Sequence, residues 1–154
     1  MTDVSGSTAL AALDAWAVRH LQRPESWFGA SGTKVTGEAV AAHLQAAAAL
    51  MKRENWDPQL YAPSSCRTLY YALIQTAADG QGDDDTRDII RDLLSCVLAS
   101  ATGAPYVYYE AWNEHATRTL HDVLLACDAA AAVARQYGPG PLAAPPQVEP
   151  GQNR

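Results

Sequence analysis

Residues 119 to 138, TLHDVLLACDAAAAVARQYG, carry the clearest helix pattern in the chain. Thr119 and Asp122 have the spacing of a capping box, in which the hydroxyl and the carboxylate each accept a hydrogen bond from a free amide of the first turn. Apolar residues then recur in steps of four, three, four and three, namely Val123, Cys127, Ala130, Ala134 and Tyr137. Gly138 is typical of a helix end. The stretch predicts an amphipathic helix whose apolar face other helices must cover.

Two helices are predicted before residue 60 from the same kinds of pattern. The first spans about Thr8 to Gln22 with Ser7 as its cap, and its apolar face comprises Leu10, Leu13, Trp16 and Leu21. The second begins after a Thr36 cap and ends with Lys52 and Arg53, where the helix dipole favours positive charge. Its apolar stripe comprises Val40, Leu44, Ala47 and Met51.

Two more helices are predicted between residues 63 and 103. The third starts at Pro63-Ser64-Ser65, runs through Leu69, Leu73 and Ala77, and ends at Gly80. The fourth is capped by Asp84 or Asp85 and stops at Gly103, with a face made of Ile90, Leu93, Val97 and Ala101. The sequence therefore predicts an all-α, single-domain bundle of about five helices, with an aromatic-rich linker before the last one.

The composition indicates one helical domain followed by a tail. The 154 residues suffice for a hydrophobic core without disulfides or metal, and only 18% of them are charged. Residues 138–154 hold five of the nine prolines and almost no large apolar side chain, so burial cannot offset the entropy lost on ordering them. We therefore expect a helical domain over residues 1–137 and a disordered Pro/Gly-rich tail over residues 138–154.

Charge and cysteine content exclude several classes of protein. The formal net charge is −6 and no cluster of Lys and Arg occurs, so we expect no nucleic-acid partner. No segment approaches the ~20 apolar residues of a membrane span, so we expect no membrane partner, and the amino terminus lacks the pattern of a secretion signal. Three widely spaced cysteines are typical of reduced thiols, which predicts a cytoplasmic protein.

The stretch YVYYEAWNEH, residues 106 to 115, holds the side chains best suited to a binding site. Aromatic rings with polar groups between them are typical of small-molecule clefts, and the candidates are Tyr106, Tyr108, Tyr109, Trp112 and Asn113. A structural interpretation competes with this one. Trp112 also suits an anchor in the core, and Asn113 suits a turn before the capped helix.

Catalysis by the same region is the alternative. Glu110, Glu114 and His115 are the candidate general acids and bases. Cys66, at the expected start of the third helix, is a candidate nucleophile because a helix N-terminus lowers the pKa of a thiol, although the same cysteine also suits a small core residue. No motif with metal-ligand spacing occurs, so the sequence predicts no metal site and no cofactor.

The residues Ala111–Glu114, Arg118–Thr119 and Asp122–Val123 resemble a family of small, functionally uncharacterised proteins of actinobacteria and their phages. In that family a Trp-Asn-Asp/Glu element precedes a helix that begins Arg-Thr-x-x-Asp/Glu-Val. The resemblance covers about residues 38–137. The chain departs from the family pattern between Trp56 and Cys66, where a longer glycine-containing segment is typical, and in its helix around Trp16. The resemblance implies a helical fold and no particular activity.

Two functions remain as predictions. The first is a small cytoplasmic helical protein that binds a small molecule or a protein partner, a second copy of itself included, through a Tyr/Trp-rich cleft. The second is a small cofactor-independent enzyme of actinobacterial specialised metabolism that uses Glu110, Glu114 and His115, or a Cys66 nucleophile. We favour the first because nothing in the sequence demands catalysis.

Overall fold

The computed structural model describes residues 12–54, 56 and 68–141. These residues form an all-α fold with six α-helices and one short 3-10 helix, which confirms the predicted fold class. The α-helices are α1 (Ala15–Leu21), α2 (Gly37–Glu54), α3 (Leu69–Ala78), α4 (Asp84–Thr102), α5 (Tyr109–Asn113) and α6 (Leu120–Tyr137). The 3-10 helix spans Pro24–Trp27. Across the described ranges, no helix has both the length and the apolar character needed to cross a membrane.

Helix α2 lies at the centre of the bundle, where it packs against α6, α3 and α4. The predicted apolar stripe of α2 is completely buried, as are the predicted α6 residues Val123, Ala130 and Ala134. Apolar side chains of α4, including Leu93 and Val97, complete this core. Burial of these faces is the main favourable contribution to folding, since each large aliphatic side chain contributes about 1.5–3 kcal/mol.

The helix ends confirm several predicted caps. Thr119 Oγ1 accepts a hydrogen bond from Asp122 N at 3.2 Å, and Asp122 Oδ2 accepts one from Thr119 N at 3.0 Å, so the capping box is complete. Thr36 Oγ1 accepts a hydrogen bond from Ala39 N at 3.0 Å at the start of α2. Gly103 ends α4 with a φ of 80°, a conformation that favours glycine.

The starts of α3 and α4 differ from the predictions. Helix α3 begins at Leu69 with Thr68 as its cap, several residues after the expected start. Helix α4 is capped by Asp83, because Thr86 three residues later completes a capping box with it. Asp85 instead accepts hydrogen bonds from the backbone N and the hydroxyl of Ser31, at 2.8 and 2.6 Å.

The predicted apolar face of the first helix is only partly correct. Helix α1 begins at Ala15, and its buried residues are Ala17 and Leu21, which lie four positions apart on one face. Trp16 lies on a neighbouring face and is 41% exposed, with its indole nitrogen donating to Asp14 Oδ2. Ala101, predicted on the apolar face of α4, is also exposed because it lies in the last turn of that helix.

Three predictions concern residues outside the described ranges. They concern Ser7 and Thr8, Cys66, and the tail beyond Pro141. The described helix starts still correct two of these predictions. One continuous helix from Thr8 to Gln22 is wrong, because Asp14 is extended and α1 begins only at Ala15. Cys66 is not in the first turn of the third helix, because that helix begins at Leu69 after the extended Thr68. The tail beyond Pro141 remains a prediction.

Candidate functional site

The predicted aromatic linker contains a short helix, α5, and its side chains divide between the core and the surface. Tyr109 and Asn113 are buried, whereas Tyr106 and Tyr108 are exposed. Trp112 is half-buried and packs against the core. The five predicted binding residues therefore do not share one surface.

Asn113 connects α5 to two other parts of the chain. Its Oδ1 accepts a hydrogen bond from Trp56 Nε1 at 3.0 Å and lies 3.4 Å from the backbone nitrogen of Leu69, the first residue of α3. An unsatisfied indole N–H would be costly at this depth, so the Trp56–Asn113 bond stabilises the packing between these segments. Asn113 thus links α5 to Trp56 and to the start of α3.

Trp112 is covered by Arg118. The guanidinium carbon of Arg118 lies 3.9 Å from the centre of a Trp112 ring, and Arg118 Nε donates to the Trp112 carbonyl oxygen at 2.7 Å. The cation–π contact and the hydrogen bond together hold the turn between α5 and α6. This ring face is therefore occupied by the protein itself.

Tyr106 and Tyr108 form the accessible part of the predicted site. Their ring centres lie 4.7 Å apart in an edge-to-face arrangement, and Val107 N, between them, donates to Ser95 Oγ on α4 at 3.2 Å. Partial burial raises the pKa of Tyr106, and Tyr108 and the charge of Asp92 act in the same direction. The hydrogen bond of Val107 therefore holds the segment of the tyrosine pair to α4.

The predicted acid–base residues lie at the ends of α5. Glu110 is in its first turn, Glu114 follows its last residue, and both are half-buried. His115 is exposed, and its Nδ1 accepts a hydrogen bond from Thr117 N at 3.2 Å. Cys66, the predicted nucleophile, lies outside the described residues. Catalytic roles for these four residues remain predictions.

A second group of chemically active side chains, which the sequence did not predict, lies between α1 and α4. His20 Nε2 on α1 is 2.7 Å from Asp92 Oδ2 on α4, although the two residues are 72 positions apart. Cys96 lies one turn further along α4, and donor atoms of all three residues lie within 4.8 Å of one another. The four-residue spacing of Asp92 and Cys96 was the only signal in the sequence, and it is too common to indicate a site.

An open cleft of about 250 Å³ on the surface includes two members of this group, His20 and Asp92, in its lining. Its walls come from α1, the 3-10 helix and α4, and the lining residues are His20, Arg23, Glu25, Ser26, Phe28, Asp88, Ile89 and Asp92. Carboxylates outnumber cationic side chains among them. We call this the α1–α4 cleft.

Cys96 itself is unsuited to nucleophilic attack in the free protein. Its side chain belongs to a residue that is only 3% exposed, and burial, together with the charge of Asp92, raises the pKa of the thiol to about 12. Cys127 resembles it, since burial raises the pKa of that thiol to about 12 as well. Both are protonated at neutral pH and therefore unreactive.

Two larger clefts lie elsewhere on the described surface. One, of about 450 Å³, lies between α2 and α6 beside Lys52, His121 and Asp128. The other, of about 400 Å³, lies between the end of α3 and the start of α4 beside Arg87. Neither is lined by the predicted aromatic or acid–base residues.

Comparison with known proteins places the chain in a family. Neither the curated proteins nor the solved structures gave a match. The profile of a family described as of unknown function, DUF6197, matches residues 35–133, which include α2 to α5 and most of α6 but not α1. Since this match covers more than half of the chain, the protein belongs to the family of unknown function DUF6197.

Proposed function

We propose that this is a non-catalytic binding protein whose ligand is a small cationic molecule, held in the α1–α4 cleft and against the rings of Tyr106 and Tyr108. The observation that carries the proposal is the exposure of these two rings, 45% and 65%. Val107, between them, is hydrogen-bonded to Ser95, which follows the cleft residue Asp92 by three positions on α4. Paired aromatic rings on a surface are typical of binding sites, because a ligand that covers them removes apolar area from water.

The charge of the cleft favours a cation. Glu25, Asp88 and Asp92 contribute three carboxylates, against the single guanidinium of Arg23, which lies 3.8 Å from Glu25. Tyrosine and phenylalanine faces attract cations as well. An anionic ligand would meet the carboxylates without a matching excess of positive charge.

Two further features support binding without catalysis in a reducing compartment. Tyr109 and Asn113 have packing roles and His115 accepts a local hydrogen bond, so these three side chains are engaged within the protein. The cysteines described, Cys96 and Cys127, are free and buried. A cytoplasmic location in an actinobacterial host belongs to the same proposal, since free thiols persist in reducing compartments.

The test is native mass spectrometry of the protein purified from its own host, followed by calorimetric titration of the released compound. Each exposed ring should contribute about 0.5–1 kcal/mol, so the double variant Tyr106→Ala/Tyr108→Ala should bind about tenfold more weakly at unchanged melting temperature. Tyr71→Ala is the matched control, because Tyr71 is exposed on α3, outside the cleft. A host-purified protein that retains no compound, or a double variant that binds like wild type, would show that the rings are not a binding site.

A further inference from the structure

We propose that His20, Asp92 and Cys96 form a zinc-binding site at the base of the α1–α4 cleft. Their donor atoms are an imidazole nitrogen, a carboxylate oxygen and a sulfur, all within 4.8 Å of one another. Zn²⁺ accepts all three kinds of ligand, and sites with three protein ligands leave a fourth position for water or a bound molecule. Metal binding at this site requires no organic ligand in the cleft. With Asp92 bound to zinc, Glu25 and Asp88 are the cleft carboxylates that remain for the cationic ligand of the proposed function.

The spacing of the donor atoms suits tetrahedral coordination after small side-chain movements. Bonds of about 2.0–2.3 Å place neighbouring ligand atoms roughly 3.3–3.6 Å apart around a tetrahedral zinc ion. His20 Nε2 and Asp92 Oδ2, now hydrogen-bonded at 2.7 Å, would separate slightly to admit the ion. Both side chains are partly exposed, so rotation about their side-chain bonds can provide this movement.

The arrangement along α4 provides a path for the ion. Asp88, Asp92 and Cys96 are spaced by four residues and therefore lie on one face of the helix. Asp88 is exposed, Asp92 is half-buried and Cys96 is buried. A hydrated cation attracted by Asp88 at the surface can therefore lose its water stepwise as it reaches Asp92 and then Cys96.

Zinc binding at this site requires the Cys96 thiol to ionise. Burial and, to a smaller extent, the negative charge of Asp92 raise the pKa of the Cys96 thiol and favour its protonated form. A divalent cation between the two reverses this effect, so the thiol proton passes to solvent and the sulfur binds zinc as a thiolate. Asp92 and Cys96 lie within the stretch that matches the family, whereas His20 precedes it. The N-terminal helix would therefore supply the third ligand.

Cobalt(II) substitution tests the site in the full-length protein. Chelator-treated protein titrated with Co²⁺ should develop intense visible bands of tetrahedral cobalt and a thiolate-to-cobalt ultraviolet band at one equivalent, and Zn²⁺ should displace both. His20→Gln, Asp92→Asn and Cys96→Ser should each weaken binding by about a hundredfold or more, since loss of partners outside the coordination sphere alone costs about 10–100-fold.

Three variants serve as matched controls. Cys127→Ser removes an equally buried thiol, Cys66→Ser removes the remaining one, and His121→Gln removes an exposed histidine. All three should bind cobalt like wild type. Circular dichroism and melting temperature identify variants that fail to fold. If Cys96→Ser fails to fold, the His20→Gln and Asp92→Asn variants still test the site, because both side chains are partly exposed.

Two results would overturn the proposal. One is a wild-type protein that binds no cobalt or gives no thiolate band. The other is a control variant that weakens binding as much as the ligand variants do. In either case His20 and Asp92 form only a salt bridge that holds α1 to α4.

Discussion

At the scale of single residues, His43 is a fully buried polar group of the core. Its side chain is fully buried on α2, where Nε2 lies 3.0 Å from the carbonyl oxygen of Leu73 on α3 and Nδ1 lies 2.7 Å from Thr86 Oγ1 on α4. A carbonyl only accepts, so Nε2 carries the hydrogen and Nδ1 accepts one from the Thr86 hydroxyl. The neutral imidazole therefore joins three helices with both nitrogens satisfied.

This burial predicts that acid destabilises the protein. Burial lowers the pKa of folded His43, whereas the unfolded chain binds this proton near pH 6.5. The stabilisation is thus complete above about pH 6.5 and is lost as the pH falls toward the folded pKa, by at most about 1.4 kcal/mol per pH unit. Urea unfolding between about pH 7.5 and about pH 5.5 should show a smaller loss in His43→Gln than in wild type. Equal losses would mean that other groups cause the effect.

The predicted binding residues show what the sequence cannot establish at this scale. The sequence predicts Tyr106, Tyr108 and Asn113 as binding residues, but it does not show which of them is buried. Asn113 is buried because the indole of Trp56, 57 positions away, donates to it. His20 and Asp92 meet only because α1 packs on α4, a tertiary contact that no local pattern encodes.

At the scale of the elements, local chemistry predicted the helices well where it was unambiguous. The Thr119 capping box, the Thr36 cap and the Gly103 stop all depend on neighbouring residues, and all were confirmed. The acidic run 83–85 was ambiguous, since three aspartates have the same capping ability. Asp83 is the cap because Thr86 completes a capping box with it. Asp85 instead accepts a hydrogen bond from Ser31, which is a tertiary contact.

The crossing of α2 and α6 gives a prediction for these elements. Gly37 N donates to the Pro139 carbonyl oxygen at 2.9 Å, and a Cβ at Gly37 would overlap the carbonyl oxygen of Ala134. Gly37→Ala should therefore force the two helices apart and lower the free energy of unfolding by about 1–3 kcal/mol, the usual cost of overpacking. Chemical denaturation measures this change. Gly140→Ala, where the added carbon meets nothing within 4 Å, should be nearly neutral, and an equally neutral Gly37→Ala would contradict the close crossing.

At the scale of the whole molecule, the α2–α6 pair determines where the folded unit ends. Helix α6 ends at Tyr137, but Gly138 N donates to the Ala134 carbonyl oxygen at 2.8 Å, and Pro139 accepts from Gly37. On α6 itself, Arg135 binds Glu38 with two hydrogen bonds, at 2.7 and 3.0 Å. Gly138 and Pro139, which composition assigns to the tail, are therefore hydrogen-bonded to the helical bundle.

Two truncations should separate the domain from the tail. Removal of residues 142–154 should leave the melting temperature unchanged, since these residues contain little apolar surface to bury. Removal of residues 138–154 should lower it by several degrees, because Gly37 N then loses its acceptor, and 1 kcal/mol corresponds to about 2–4 °C in a domain of this size. Differential scanning calorimetry of both truncated chains beside the full chain measures the two shifts. A large fall already in the shorter deletion would show that residues beyond Pro141 pack against the bundle, and the domain would then extend further than its composition indicates.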